Sequence, residues 1–245
     1  MSRQPWTPLA RPLARPAVRM SWRDLLFLHW RIDPAALRPL LPEPLEVDTF
    51  DGSAWIALVP FRMADTRFSG VPNLPTLGNF HECNVRTYAR LNGHAGVWFF
   101  SLDAAALLPV LGGRWLWSLN YVHAKFHVEH HADGRIDYRF VRRRGPWPPG
   151  RAQIAWRPGE PLPTAQPGSL EHFLTERYWL FTQRRGQVVA GRVWHEPWPL
   201  RRATVLRLDD PNSLVGQDGL TVEGDPLVHA SDRIDVLGWK LGLAT

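Results

Sequence analysis

The residues best suited to chemistry lie in the stretch Gly78–Phe126 and just beyond it. From His81 to Leu91 the even positions Glu82, Asn84, Arg86, Tyr88 and Arg90 are polar or amphipathic. The odd positions His81, Cys83, Val85, Thr87, Ala89 and Leu91 are mostly apolar or small. Successive strand side chains point to opposite faces, so one face packs and the other carries functional groups. A later segment repeats the pattern: Tyr121, His123, Lys125, His127 and Glu129 alternate with Val122, Ala124, Phe126 and Val128. Glu82 and Arg86 would stand about 13 Å apart along their strand, at ~3.3 Å per residue. A carboxyl and a guanidinium so placed suit a ligand of a few carbons. They equally suit an exposed polar strand with ordinary cross-strand pairs, and pattern alone leaves both readings open.

The elements that position these groups read as follows. Residues 1–20 are rich in Pro and Arg and predict an extended arm ahead of a single domain over 21–245. Alternation predicts a strand over Asp24–Ile32, with His29 and Arg31 on the parity-matched face. Asp33-Pro34 predicts a helix start and Pro42 its end near Leu41. Leu45–Phe50 and Ser53–Ala64 predict two strands joined by an Asp51-Gly52 hairpin turn. Asp65–Gly78 reads as a long irregular loop. Gly78–Phe126 itself reads as strand, turn, strand, buried helix, strand. Strands follow at Arg135–Arg144 and near Gln153–Trp156. Ser169 caps an amphipathic helix whose stripe is Leu170, Phe173, Leu174, Tyr178 and Phe181. Gln187–His195 and Arg202–Leu208 predict the last strands, and the tail from Asp209 reads mostly as coil. The fold class is therefore mainly β, with a few flanking helices.

Composition narrows the function classes. The chain has 245 residues, a formal charge of +6, 13 Trp and 23 Pro. The prolines argue against long helices. Lys125 and Lys240 are the only lysines, so the positive charge is carried by arginine. The basic residues are scattered apart from Arg11–Arg19 and Arg142–Arg144, and no nucleic-acid motif accompanies them. Nucleic acid is not an expected partner. Cys83 is the sole cysteine, which excludes an intramolecular disulfide and a CxxC site. The N-terminus lacks the apolar core of a secretory signal, and no run approaches the ~18 apolar residues of a membrane span. A cytoplasmic protein without a membrane partner is expected.

There is no P-loop, GxGxxG, GxSxG or HExxH motif, and no cofactor is expected. His127, Glu129 and His131 share a strand face beside the Asp133-Gly134 turn, while His130 points away. They read as an exposed strand end, and no metal is assigned to them.

Four blocks carry a resemblance: WRDLLFLHWRIDPAALRPLLPEPLEVDTFDGSAWIALVPFRM, FHECNVRTYARLNGHAGVWFFSLDA, SLEHFLTERYWLF and HEPWPL. From about Met20 to Trp239 the chain resembles the YqjF-like bacterial family of uncharacterised proteins, within the acetoacetate decarboxylase-like superfamily. The resemblance implies a distorted, largely antiparallel β-barrel or cone with helices outside and a ligand cavity inside. Acetoacetate decarboxylases use a Schiff-base lysine in a Gly-Arg-Glu…Phe-Pro-Lys-Lys run. The similar run here is Gly113-Arg114-Trp115-Leu116-Trp117-Ser118-Leu119-Asn120-Tyr121-Val122, with Tyr121 and Val122 where the lysines belong. YqjF-like relatives read Leu-Pro-Tyr at this point, so Asn120 departs from them and the tyrosine does not. Glu82 resembles the superfamily's acidic residue on the facing strand. Lys125 shares Tyr121's face but lies outside the matching position.

Together these readings predict a pocket for a small organic acid or carbonyl compound. Glu82 is the candidate general acid/base, Tyr121 a hydroxyl donor toward a developing oxyanion, and His123 a further catalytic candidate. Arg86 is the candidate anion anchor, with His29, Arg31, Asn84 and Lys125 as other ligand-binding candidates. A cofactor-independent lyase, hydratase or isomerase, and a non-catalytic ligand-binding protein, both need this pocket. Self-association into a homo-oligomer and an interaction role for the arm stay open.

Overall fold

The computed structural model describes residues 10–70, 78–105, 119–142, 148–216 and 219–242. The strands are β1 (Val18–Ile32), β2 (Glu46–Val47), β3 (Ala54–Phe68), β4 (Phe80–Leu91), β5 (His94–Ala104) and β6 (Tyr121–His130). They continue as β7 (Ile136–Arg142), β8 (Arg151–Pro161), β9 (Trp179–Arg184), β10 (Gln187–His195), β11 (Arg201–Asp209) and β12 (Leu227–Gly238). Among the described residues three short α-helices accompany them: α1 (Pro34–Leu37), α2 (Leu170–Thr175) and α3 (Asn212–Val215).

The pairings close on themselves twice. β5-β6-β7-β8-β11-β12-β1-β3-β4 returns to β5 as a nine-strand barrel. β10 pairs with both β9 and β12, and β9 pairs with β5, so β10-β9-β5-β4-β3-β1-β12 form a second ring of seven. Closure leaves these strands no free edge to template aggregation. β1, β3, β4, β5 and β12 belong to both rings, so both of their faces are covered. Leu26, Leu28, Ile56, Leu58, Cys83 and Val85 pack with Tyr138, Phe140, Ile154 and Trp156 in the nine-strand barrel. Leu25, Phe27, Ala57, Val59, Phe61 and Leu102 pack with Val193, Trp198, Ile234 and Val236 in the seven-strand ring.

Local chemistry sets this geometry. Asp51-Gly52, Asn92-Gly93 and Arg185-Gly186 all hold positive φ and make the tight turns β3, β5 and β10 start from. Asp24, at φ 55°, is an extra residue in β1: Arg23 pairs with Arg62 but Leu28 pairs with Leu58. One inserted residue reverses the parity of the strand. Even-numbered Trp22 therefore packs on the same side as odd-numbered Leu25 and Phe27. At Gly96 the chains come so close that a Cβ would lie 2.6 Å from Phe181 Cε2 and 2.7 Å from the Trp179 carbonyl.

The mainly-β, barrel-like fold agrees with the sequence, while several elements need correction. β1 starts at Val18, inside the stretch read as an arm, and residues 10–17 lie against the β10–β12 side. There Trp239 Nε1 donates to the Ala14 carbonyl at 2.9 Å and Arg192 donates to the Ala10 carbonyl at 3.2 Å. β3 runs on to Phe68 instead of yielding to a loop at Asp65. The strand read near Gln153 spans Arg151–Pro161. The helix read through Phe181 stops at Thr175, because Trp179–Arg184 is drawn into the ring as β9, parallel to β5. The tail read as coil holds β12, which pairs with β1 along its whole length. The helix read between β5 and β6 lies outside the described residues, as do Arg143 and Arg144.

Candidate functional site

The register of the shared wall collects the polar side chains into rows. Glu82 lies between Phe61 on β3 and Ala104 on β5. Asn84 lies between Val59 and Leu102, and Leu102 is paired in turn with Tyr121. Arg86 lies between Ala57 and Phe99, and Ala57 is paired with His29. Paired residues share a face, so Glu82, Asn84, Arg86, His29 and Tyr121 all stand on the seven-strand side. The sequence expected a face of β4 that packs and another that carries chemistry. Both faces are in fact buried, and the polar one looks into the smaller ring.

Glu82 is 2% exposed, and its carboxyl shares a hydrogen bond with the Tyr121 hydroxyl. Burial pushes its pKa up to about 8, helped by the negative charge of Asp103 and opposed by the Tyr121 bond. At neutral pH this acid therefore keeps its proton. Burial, with Glu82 beside it, raises the Tyr121 phenol as well. Glu82 Oε2 and Asn84 Oδ1 have no protein partner among the described residues.

Arg86 is 8% exposed, with its guanidinium over the rings of Phe27, at 5.4 Å, and Tyr88, at 5.8 Å. It donates to the Leu174 carbonyl at 3.3 Å, and its Nε lacks a partner. A buried cation without a carboxylate contact among the described residues suits an incoming anion. His29 Nε2 meets the Tyr88 hydroxyl at 2.7 Å, and that hydroxyl donates to the Leu174 carbonyl at 2.9 Å. Burial first, then Arg86 and His229, hold the His29 pKa well below its usual value, so the imidazole is neutral. Its Nδ1 is also without a partner.

Other expected residues are not brought to this group. Arg31 sits beyond His29 at the exposed end of β1, stacked on Trp55 at 4.7 Å and donating to Ser53 at 3.0 Å. Lys125 is exposed as well. Tyr121 and His123 pair with β5, where the smaller ring covers them. Further along, β6 pairs with β7 alone, so the same face meets solvent at Lys125, His127 and Glu129. His123 is half-buried, in the row of Ala104 and Glu82. Arg142 belongs to no exposed cluster: it is buried in a two-pronged ion pair with Asp103, at 2.6 and 2.8 Å.

Sequence reasoning missed a second set on the same side. Glu176 accepts from the Tyr178 hydroxyl at 2.7 Å and from the Trp198 amide at 2.9 Å. His195 stacks on Tyr178 at 4.7 Å and meets Trp198 edge-on at 5.3 Å. Burial takes the His195 pKa down to about 4. Trp198 in turn abuts Phe27, under Arg86, at 5.0 Å. Arg177 pairs with Asp48 at 2.5 Å and covers Phe173 at 4.2 Å. His229 and Ser231 join from β12, paired with Phe27 and Leu25. The signal for most of these was present in the blocks SLEHFLTERYWLF and HEPWPL, whose polar residues had no role while the first was read as one helix.

The comparisons agree with this architecture. Residues 19–235 match the family DUF2071, described as an uncharacterized conserved protein. The chain is 39% identical over 225 residues to the uncharacterized protein YqjF of Bacillus subtilis, covering 91% of each. It is 30% identical over 141 residues to an acetoacetate decarboxylase of Burkholderia cenocepacia, a match spanning 54% of this chain and 52% of that one. Among solved structures, the enduracididine biosynthesis enzyme MppR complexed with pyruvate superposes with a TM-score of 0.62 at 15% identity, over 95% of this chain and 92% of that one. An acetoacetate decarboxylase from Legionella pneumophila superposes with a TM-score of 0.61 at 15% identity, over 99% and 98%. The solved structures share the fold, and the sequence match over nearly the whole length settles membership: the chain belongs to the DUF2071 family, alongside YqjF, on an acetoacetate decarboxylase-like fold.

Proposed function

We propose that the seven-strand ring binds a small organic acid carrying a carbonyl group and acts on it as a cofactor-independent lyase, hydratase or isomerase. The observation that carries this reading is the buried Glu82–Tyr121 pair on the same face as a buried arginine with an unused donor. Arg86 would take the carboxylate, and the ring stack of Phe27 and Tyr88 holds its guanidinium in place. Glu82, protonated at neutral pH, would give its proton to a carbonyl oxygen or a carbanion and later recover it. The Tyr121 hydroxyl would donate to the developing oxyanion. A carboxyl whose pKa lies near the working pH serves well in both directions. MppR, bound to pyruvate in one structure and to a condensation product of pyruvate in another, supports a keto acid as the ligand class.

No imine step enters this proposal. Lys125 and Lys240 are the chain's only lysines and both are exposed. Mixing the protein with pyruvate and sodium borohydride should leave its intact mass unchanged, whereas a reduced adduct on Lys125 would return amine chemistry to the site. Arg86→Ala should weaken keto-acid binding by about 1.5–3 kcal/mol, the worth of a charge-assisted hydrogen bond. Unaltered binding in that variant would remove Arg86 as the anchor. Glu82→Gln separates catalysis from simple binding. It mimics the protonated acid, so binding should persist while deuterium exchange into the keto acid stops. Wild-type protein that binds the keto acid but never exchanges it is a binding protein.

A further inference from the structure

At the end of the β6–β7 hairpin, far along β6 from Tyr121, the structure gathers a group that the proposed function does not use. Glu129 and Asp137 are directly opposed across the two strands, and His131 follows at the turn. One donor atom from each of Glu129, His131 and Asp137 lies within 4.8 Å of the others. His131 Nε2 is 3.1 Å from Asp137 Oδ2 and 3.9 Å from Glu129 Oε2. The second oxygen of Glu129 is held by His127 Nε2 at 2.7 Å. The sequence supplied three of these residues as a same-face His-x-Glu-x-His run, and strand pairing adds the fourth.

We infer that Glu129, His131 and Asp137 form a binding site for a divalent transition metal ion of the zinc class, with His127 orienting Glu129 from outside. Donors about 2.05 Å from a tetrahedral zinc ion stand roughly 3.3 Å from one another. The two His131 separations bracket that edge, so small side-chain rotations would close the set around one ion. One imidazole nitrogen and two carboxylate oxygens suit zinc better than calcium or magnesium, which take oxygen donors. A bond from His127 to the far oxygen of a ligating carboxylate is the usual outer support of such a site. A depression of about 270 Å³ bordered by Arg135, Asp137 and Arg207 opens beside it and leaves room for a water ligand.

Two guanidinium groups stand beside the set, Arg139 with Nη2 3.8 Å from Glu129 Oε2 and Arg135, and the behaviour of Arg135 makes the inference specific. Arg135 Nε lies 3.2 Å from Asp137 Oδ1, and its Nη2 lies 3.2 Å from His131 Nε2. This guanidinium competes with a metal for His131 Nε2 and crowds the other oxygen of Asp137 from a half-buried position at the turn. Removing it should therefore tighten metal binding.

The experiment is a titration of tag-free, metal-stripped full-length protein with zinc chloride, followed by calorimetry. One ion should bind per chain. His131→Ala and Asp137→Asn should abolish that event, and His127→Ala should weaken it at least about tenfold. Arg135→Ala should strengthen it, and His130→Ala, on the other face, should change nothing. All five positions are at the surface, and far-ultraviolet circular dichroism confirms that each variant is folded. No heat of binding, or binding that survives His131→Ala or is weakened by Arg135→Ala, would overturn the inference.

Discussion

The proposed chemistry depends most on the carboxyl of Glu82, and the titration of that group is visible without knowing the ligand. Burial raises its pKa from 4.5 to about 8, so between those values the folded chain holds a proton the unfolded chain has lost. Its contribution to stability is complete below about pH 4.5 and is lost as pH rises through about 8. Urea denaturation at pH 5, 7 and 9 should show wild-type stability falling by on the order of 2–4 kcal/mol more than that of Glu82→Gln. Parallel profiles for the two proteins would mean that Glu82 is ionised in the folded state. His29 and His195 shift the other way: each is buried neutral, and protonation at low pH opposes folding. Stability should therefore fall in both proteins alike as pH drops from about 6.5 toward about 4.

At the scale of elements, the contact between β5 and β9 is the narrowest joint of the smaller ring. Gly96→Ala would drive a methyl group into Phe181 and the Trp179 backbone, and should cost about 1–3 kcal/mol by overpacking. A thermal melt of that variant unchanged from wild type would show that β9 is loosely held. This joint also explains what the sequence concealed. The hairpins at Asp51-Gly52 and Asn92-Gly93 were legible because the turn residues dictate local geometry. Glu82, Asn84 and Arg86 were legible as a row because strand parity survives along β4. Parity could not show where the covering ring ends, so Lys125 and Arg31 looked equivalent to Tyr121 and His29. Tyr178–Thr182 is compatible with helix or strand, and only the exposed flank of β5 decides between them. In β12, His229, Ser231 and Asp235 interrupt the apolar pattern because a shared strand meets the polar row of the smaller ring along part of its length and water along the rest.

For the whole molecule, the consequence of two rings with five common strands is mechanical unity. Neither core can lose its wall while the other keeps it. Unfolding should therefore be a single transition, with tryptophan fluorescence and far-ultraviolet circular dichroism coinciding. The probes are well distributed: Trp22 and Trp198 report on the smaller ring, Trp30 and Trp156 on the larger. Separate midpoints would show that residues 21–245 hold two independent folding units. The N-terminal arm should contribute little to that transition, since its described part is tied down mainly by hydrogen bonds from Trp239, Arg192 and Ser69.

The partition between the rings is one backbone thick, and a hydroxyl crosses it. Tyr138, packed in the larger core, donates to the carbonyl of Glu82 at 2.7 Å and lies 3.2 Å from that of Phe61. The acid of the smaller ring is thus held from behind by a side chain of the larger core. In evolutionary terms, substitutions in the larger core would reach the backbone of Glu82 without altering its side-chain contacts. Tyr138→Phe, which should cost about 1–2 kcal/mol, offers the direct trial. Its pH–stability slope should differ from that of the parent, and inheritance should couple Tyr138 to Glu82 more tightly than to its own ring neighbours.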